Sequence, residues 1–279
     1  APLSGGATTV TRARVEAAHP GSAAEALALV PGIRIVQHGA EGKAHQLFLR
    51  GFDAVHGSDV EVVVGGVPLN ERLNVHGHGY IDLYGIVPEA IQAIRVEKGP
   101  FLPGQGDFAT AGTVRFEPGL PDALRPGLMR LDASHRGRVR LAAVLAPKEA
   151  PHDAFLAGEA VSDPGFGPER EAVRGVAQGA WSWALGGGVR LGVFGSGQGA
   201  RWESPGAVRL EDYASGDLGF VDTYGRGGRG VSWRGLAGLT LSRERAGSAL
   251  HVVAWGGLRG LSLHDDYTGY LVNGDPGDL

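Results

Sequence analysis

The chain has 279 residues, with 26 basic and 30 acidic side chains and a formal net charge of −4, so no global basic field argues for nucleic acid. Cysteine is absent, which excludes a disulfide framework, a thiolate metal site and a cysteine nucleophile. No apolar run reaches the roughly 18 residues of a transmembrane helix, and Ala1–Gly6 has neither the charged nor the apolar region of a signal peptide. Two classes remain: a soluble chain, or one that meets the membrane as a β-barrel. The 48 glycines are spread through alternating segments rather than triplets, which points to many turns and closely packed strands.

The first half mixes short apolar runs with helix signals. Thr8–Arg12 reads as an opening strand. Ser22-Ala23-Ala24-Glu25 reads as a capping box that opens a helix through Leu27 and Val30, closed by Pro31-Gly32. Ile33–Val36 and Gln46–Arg50 read as strands. Glu61–Val64 ends at Gly65-Gly66 and resumes at Val67, the pattern of a hairpin or tight bend. Pro88–Ile91 begins a short helix that leads into the strand Ile94–Glu97. A boundary falls at Pro118–Pro126, rich in proline and glycine.

Beyond that boundary the pattern becomes strict alternation. Val173, Gly175, Ala177, Gly179, Trp181, Trp183 and Leu185 form one apolar or small face, with Arg174, Gln178 and Ser182 on the other. Leu250, Val252, Ala254, Gly256 and Leu258 repeat it, with His251 and Arg259 opposite. Residues 138–146, 153–162, 189–197 and 230–243 are further strand candidates, and all five tryptophans lie in this half. Alternating segments of about ten residues with aromatics near their ends fit a membrane barrel. A soluble sandwich alternates too, so periodicity alone leaves both open.

The first 120 residues resemble the plug domain of TonB-dependent outer-membrane receptors, through motifs in family order. Thr8–Arg12 resembles the plug's opening strand, and Ala24–Gly32 its helix and Pro-Gly turn. Leu49-Arg50-Gly51-Phe52 resembles "IRGF", and Val62–Asn70 resembles "VLIDGVPLN". Pro88–Pro100 resembles "IPxxxIExIEVLRGP", and Gly104–Phe116 the glycine-rich segment that follows. The family aspartate before the turn glycine is Gly65 here, the arginine before "GP" is Lys98, and the last glycine pair is spaced as Ala109–Gly112.

The resemblance implies an α+β plug over residues 1–120, a small mixed sheet with short helices. Residues 121–279 would then hold roughly six to eight antiparallel transmembrane strands of a barrel that has about 22 in the family. Ala1–Ala7 do not read as a TonB box, and an open sheet cannot stand in lipid. The chain is therefore expected to be a fragment of a longer receptor.

No catalytic constellation is present: there is no nucleophile elbow, and Gly104-Gln105-Gly106 lacks the residues of a phosphate loop. No enzyme activity, cofactor or bare metal site is expected. His76-Gly77-His78-Gly79-Tyr80 reads either as an ordinary polar loop or as a cargo-facing one. In the family, apical loops corresponding to Gln37–Ala44 and Glu71–Tyr80 touch cargo, which makes His38, Asn74, His76, His78 and Tyr80 the candidate contacts. Arg50 and Lys98 correspond to basic residues that lock plug to barrel, with Glu159 and Glu171 as candidate partners. The implied function is active import of a metal chelate such as a ferric siderophore, or of a cobalamin-like or heme-like cargo. The partners would be a TonB–ExbB–ExbD complex and outer-membrane lipid, with no nucleic acid. A non-transporting plug-like binding module and a soluble β-sandwich are the alternatives.

Overall fold

The computed structural model describes residues 6–37, 44–74, 78–206, 208–224 and 227–265. The first half contains strands β1 (Thr8–Thr11), β2 (Ile33–Val36), β3 (Gln46–Leu49), β4 (Phe52–Asp53), β5 (Val60–Val64), β6 (Val67–Pro68), β7 (Ile91–Lys98) and β8 (Gly112–Pro118). They form a five-stranded sheet in the order β1-β7-β8-β5-β6 and a separate β2-β3-β4 sheet. Only the β5–β8 pairing is parallel, so the five-stranded sheet is mixed. Its core is apolar: Val10, Leu27, Val62, Val64, Ile94, Val96, Val114 and Phe116 are all buried.

The capping box forms as its residues require. Ser22 Oγ accepts from the Glu25 N–H at 3.2 Å, and the Glu25 carboxylate accepts from the Gly21 N–H at 2.7 Å. The helix they open, α2 (Ala23–Leu27), is shorter than expected and ends before Val30. A second helix, α1 (Arg12–Ala18), was not foreseen. It follows β1 directly, carries an Arg12–Glu16 ion pair at 2.8 Å, and stops at His19, whose φ of 50° precedes Pro20. The helix expected from Pro88 is a single 3-10 turn, Pro88–Ala90.

At Gly65-Gly66 the chain makes a two-residue hairpin with Val64 opposite Val67. Both glycines have positive φ, 56° and 84°, as a primed turn demands. A Cβ on Gly65 would lie 2.7 Å from the Phe194 ring of the second half, so this site also lacks room for a side chain.

The second half is one antiparallel meander: β9 (Gly127–Ala133), β10 (Val139–Leu145), β11 (Phe155–Asp163), β12 (Ala172–Gly186), β13 (Val189–Ser204), β14 (Gly228–Arg245) and β15 (Ser248–His264). Strand β9 had no counterpart among the sequence candidates; it is short and follows the proline-rich boundary closely. The last four strands have 15 to 18 residues, more than the ~9–11 that cross a bilayer when tilted. Connections 134–138, 164–171 and 205–227 lie at one end, and 146–154, 187–188 and 246–247 at the other. The sheet is open, with β9 and β15 at its edges.

The alternation is inverted relative to a soluble protein. On β12 the polar face is covered, with Arg174 5 % exposed and Gln178 2 %, while Val173 is 51 % exposed and Leu185 60 %. Met129, Leu131, Leu156, Trp181, Trp183 and Leu239 are likewise exposed. The covered polar face packs on the first half, as the lumen wall of a membrane barrel does, whereas a soluble sandwich buries its apolar face. Among the described residues no helix is long and apolar enough to cross a membrane, which leaves strand crossing open. Trp202 departs from the expected aromatic belt: it is buried, and Gly230 opposite it leaves room for its ring.

The two halves pack closely where a Cβ on Gly238 of β14 would come 2.2 Å from Val67 of the plug hairpin. Gly238→Leu in the full-length protein is expected to cost about 1–3 kcal/mol by overpacking. Faster limited proteolysis of the hairpin in purified protein would show this; an unchanged rate would contradict the contact.

Candidate functional site

Residues 81–90 lie between β6 and β7 and are buried throughout. They contain two isolated 3-10 turns, Leu83–Gly85 and Pro88–Ala90, so much of their backbone has no ladder partner. Buried N–H and C=O groups must be paired, and the inner face of the second sheet supplies the partners. Gln178 Oε1 accepts from the Val87 N–H at 3.0 Å, and Ser196 Oγ donates to the Gly85 carbonyl at 2.6 Å. Arg174 donates to the Tyr84 carbonyl at 3.4 Å, with its guanidinium 4.8 Å from the Tyr84 ring centre. Gln178 and Ser196 are paired across β12 and β13, so one rung of the sheet reads the segment's backbone.

At one end of this seam lies a buried ionic network. Glu89 takes both ends of the Arg140 guanidinium, at 2.8 and 2.6 Å. Arg140, fully buried, also reaches Glu159 at 2.6 Å and Asp132 at 3.0 Å. Arg174 pairs with the other Glu159 oxygen, and Arg130 lies 3.6 Å from Glu89. The chain links a plug carboxylate to barrel arginines and then to a barrel carboxylate.

Farther along, Asp82 accepts from the Tyr84 N–H at 3.0 Å and from Gln198. Burial pushes its carboxyl above the usual range, against the pull of Arg259. Arg259 donates to Glu71 at 2.9 Å and sits 4.6 Å from the Tyr80 ring centre, while Arg234 donates to the Leu69 carbonyl at 2.6 Å. A cavity of about 570 Å³ opens here between the plug loops and strands β14 and β15.

Residues 3–113 match the family described as the TonB-dependent Receptor Plug Domain. The fold is similar to the ferric yersiniabactin uptake receptor FyuA from Yersinia pestis at TM-score 0.66 and 14% identity, over 92% of this chain and 41% of that one. It is also similar to the ferric citrate transporter FecA in unliganded form, at TM-score 0.66 and 15% identity over 93% and 41%. The siderophore receptor PirA from Acinetobacter baumannii gives TM-score 0.63 at 16% identity over 92% and 40%. Residues 3–113 thus form a plug domain of the TonB-dependent receptor kind, and the strands that follow share the fold of the barrels in these solved receptors. The chain spans about two fifths of the length of these solved receptors.

Within this fold the residues singled out from sequence fall in several places. His38 and His76 lie outside the described residues. Asn74 donates to Glu71 at 2.8 Å, and exposed His78 faces the Arg72 carbonyl at 3.1 Å through Nδ1. Tyr80 is buried, with its hydroxyl accepting from the Ala44 N–H at 2.7 Å. Desolvation and the nearby Asp82 push that phenol up.

The expected pairing of Arg50 and Lys98 with Glu159 and Glu171 is not the one the receptor makes. Lys98 donates to the Pro31 carbonyl at 2.8 Å inside the plug, and burial lowers its ammonium. Arg50 and Glu171 are exposed, and Glu159 pairs with Arg140 and Arg174, both barrel residues. The plug's own charge in the network is Glu89, so the polarity is the reverse of the expected one.

Sequence reading missed Glu89 and Arg140. The available signal was Arg140's phase, two residues ahead of Ala142 on a face that alternates with Leu141. Among the described residues no group of three or more His, Asp or Glu fit to hold a metal is present.

Glu89→Ala leaves Arg140 short of a partner in a dry seam and is expected to cost about 3–5 kcal/mol, read as a lower unfolding midpoint of the receptor in detergent. A second expectation concerns buried His45, 5.0 Å from the Tyr84 ring. Burial first, then Arg174 and His56, lowers its pKa from 6.5 to about 4. A folded-state pKa below the unfolded one means stability is complete above pH 6.5 and falls as pH drops toward 4. The loss is about 3 kcal/mol. His45→Gln is expected to flatten that part of the stability–pH curve; an unaltered slope would contradict the assignment.

Proposed function

We propose that the full-length protein imports a scarce nutrient across the outer membrane, with this plug closing the barrel lumen until cargo binds. The observation that carries the reading is the plug seated on the polar face of a sheet whose other face is apolar and exposed. Such a wall fits lipid outside and a polar occupant inside. Relatives of this fold include receptors whose descriptions name ferric yersiniabactin and ferric citrate. They favour a metal chelate as cargo over a cobalamin-like or heme-like one. The plug is taken as residues 1–120 and the barrel portion as 121–279.

Cargo would enter from the side of the apical loops and meet Asn74, His78 and the loops that hold His38 and His76. Tyr80, buried and held by Ala44 and Arg259, positions that loop rather than meeting cargo directly. Energy would come from a TonB–ExbB–ExbD complex pulling the plug, which must then break the seam at Glu89–Arg140. Glu159 contributes to the lock by holding Arg140 and Arg174 in place. No step makes or breaks a covalent bond in the cargo, so the function is transport and not catalysis.

The test is uptake of radiolabelled ferric chelates, cobalamin and heme by a deletion strain and its complemented parent, each with and without TonB. Loss of uptake of one cargo in both the deletion and the TonB-deficient strain is expected. Cargo binding without TonB-dependent uptake would instead assign a non-transporting receptor, and recovery in the soluble fraction would overturn both.

A further inference from the structure

Arg234 and Arg259 occupy facing positions on β14 and β15, and both line the 570 Å³ cavity together with Glu71, Asn70, Phe108 and Trp255. That volume is in the range of small-molecule sites. Their charge is incompletely answered. Glu71 is 2.9 Å from Arg259 but 3.6 Å from Arg234. Asp82 stands 3.6 Å from Arg259, beyond hydrogen-bond distance, and burial pushes its carboxyl up. Arg234 Nη1 and Arg259 Nε are buried without a hydrogen-bond partner. Of the two carboxylates beside these guanidiniums, only Glu71 comes within hydrogen-bond distance, and only of Arg259, in a place where an unanswered charge is costly.

The carboxylate they share belongs to a plug loop. Glu71 is tied to that loop through the Asn74 side chain at 2.8 Å and through backbone bonds with Tyr80 and Gly79. The arrangement shows what the arginines accept, because Glu71 already occupies them with carboxylate oxygens.

We propose that the cavity binds a carboxylate-bearing cargo whose carboxylate displaces Glu71 from Arg259 and uses the spare donors of Arg234. Arginine suits this exchange because its planar fork accepts a carboxylate at two nitrogens. Displacement frees Glu71 and Asn74, so cargo binding changes the bonding of the plug loop at the point where the loop meets the barrel wall. The proposal rests on the uptake reading above and adds the class of cargo and the residue it competes with.

The test uses the full-length receptor, purified from outer membranes. Equilibrium binding is measured for two ferric chelates with free carboxylates, ferric citrate and ferric rhizoferrin, and two without, ferrichrome and ferrioxamine B. At least one of the first pair is expected to bind and neither of the second. Arg259→Gln is expected to weaken binding about tenfold or more, as loss of a charged hydrogen-bonded pair does. Glu71→Gln, which removes the competitor, is expected to tighten it several-fold. These opposite signs separate the exchange from simple loss of folding.

Binding of the carboxylate-free chelates alone, binding of none of the four, or equal weakening by both substitutions would overturn the proposal. TonB-dependent uptake of a carboxylate-free cargo would overturn it while leaving the uptake reading intact. Absence of TonB-dependent uptake of every cargo would instead remove the reading it rests on.

Discussion

The structure depends on one constraint: an irregular, fully buried stretch of plug backbone must find hydrogen-bond partners inside a barrel wall. Residues 81–90 cannot satisfy themselves as a helix or strand, because two single 3-10 turns close few bonds. Gln178, Ser196 and Arg174 do it from the wall. Once those polar residues take the inward phase of each strand, the period of two places Val173, Trp181, Trp183 and Leu185 outward. The same choice that seats the plug therefore prepares the lipid face.

Charge adds a second layer to that seam. Glu89 brings the plug's carboxylate to Arg140, and Arg140 is satisfied only because Glu159 and Asp132 complete its shell. A network of this kind contributes little when compared with a well-packed apolar seam, yet breaking one member is costly. At Arg259 and Arg234 the balance is looser, with Glu71 shared between them. The firm network and the loose one stand at opposite ends of the 81–90 segment.

How much of this was legible in the sequence varied with how local the cause was. The Ser22–Glu25 capping box and the Gly65-Gly66 hairpin were readable because their bonds lie within a few residues. Helix α1 was hidden by the threonines before it, which read as strand, and by its lack of a side-chain cap. The six long alternating segments were visible, but their sense was not: Arg174 and Gln178 alternate with valine and glycine equally well in a soluble sheet. Only the plug packed against them decides which face is inside.

The lock illustrates the same limit. Glu89 and Arg140 are 51 residues apart in sequence, and nothing local distinguishes Glu89 from an ordinary acid at a helix start. Pairing Arg50 and Lys98 with Glu159 followed from motif position, whereas the carbonyl of Pro31 lies closer to Lys98 and holds it. Gly65 appeared as a departure from the family aspartate. The Phe194 ring beside it explains the departure physically, through a contact 129 residues away that no local reading contains.

The central claim is that the plug's 81–90 segment lies against the inner face of β13. These 279 residues hold no cysteine, so an introduced pair has no competing thiol among them. Gly85 and Ser196 suit it, since a Cβ on Gly85 would stand 3.0 Å from Ser196 Oγ. The measurement is disulfide formation in the full-length receptor carrying Gly85→Cys and Ser196→Cys, in intact outer membranes, read by mass spectrometry of the linked peptides. The seam predicts near-complete cross-linking in the absence of cargo. Two free thiols in a correctly inserted receptor would contradict it.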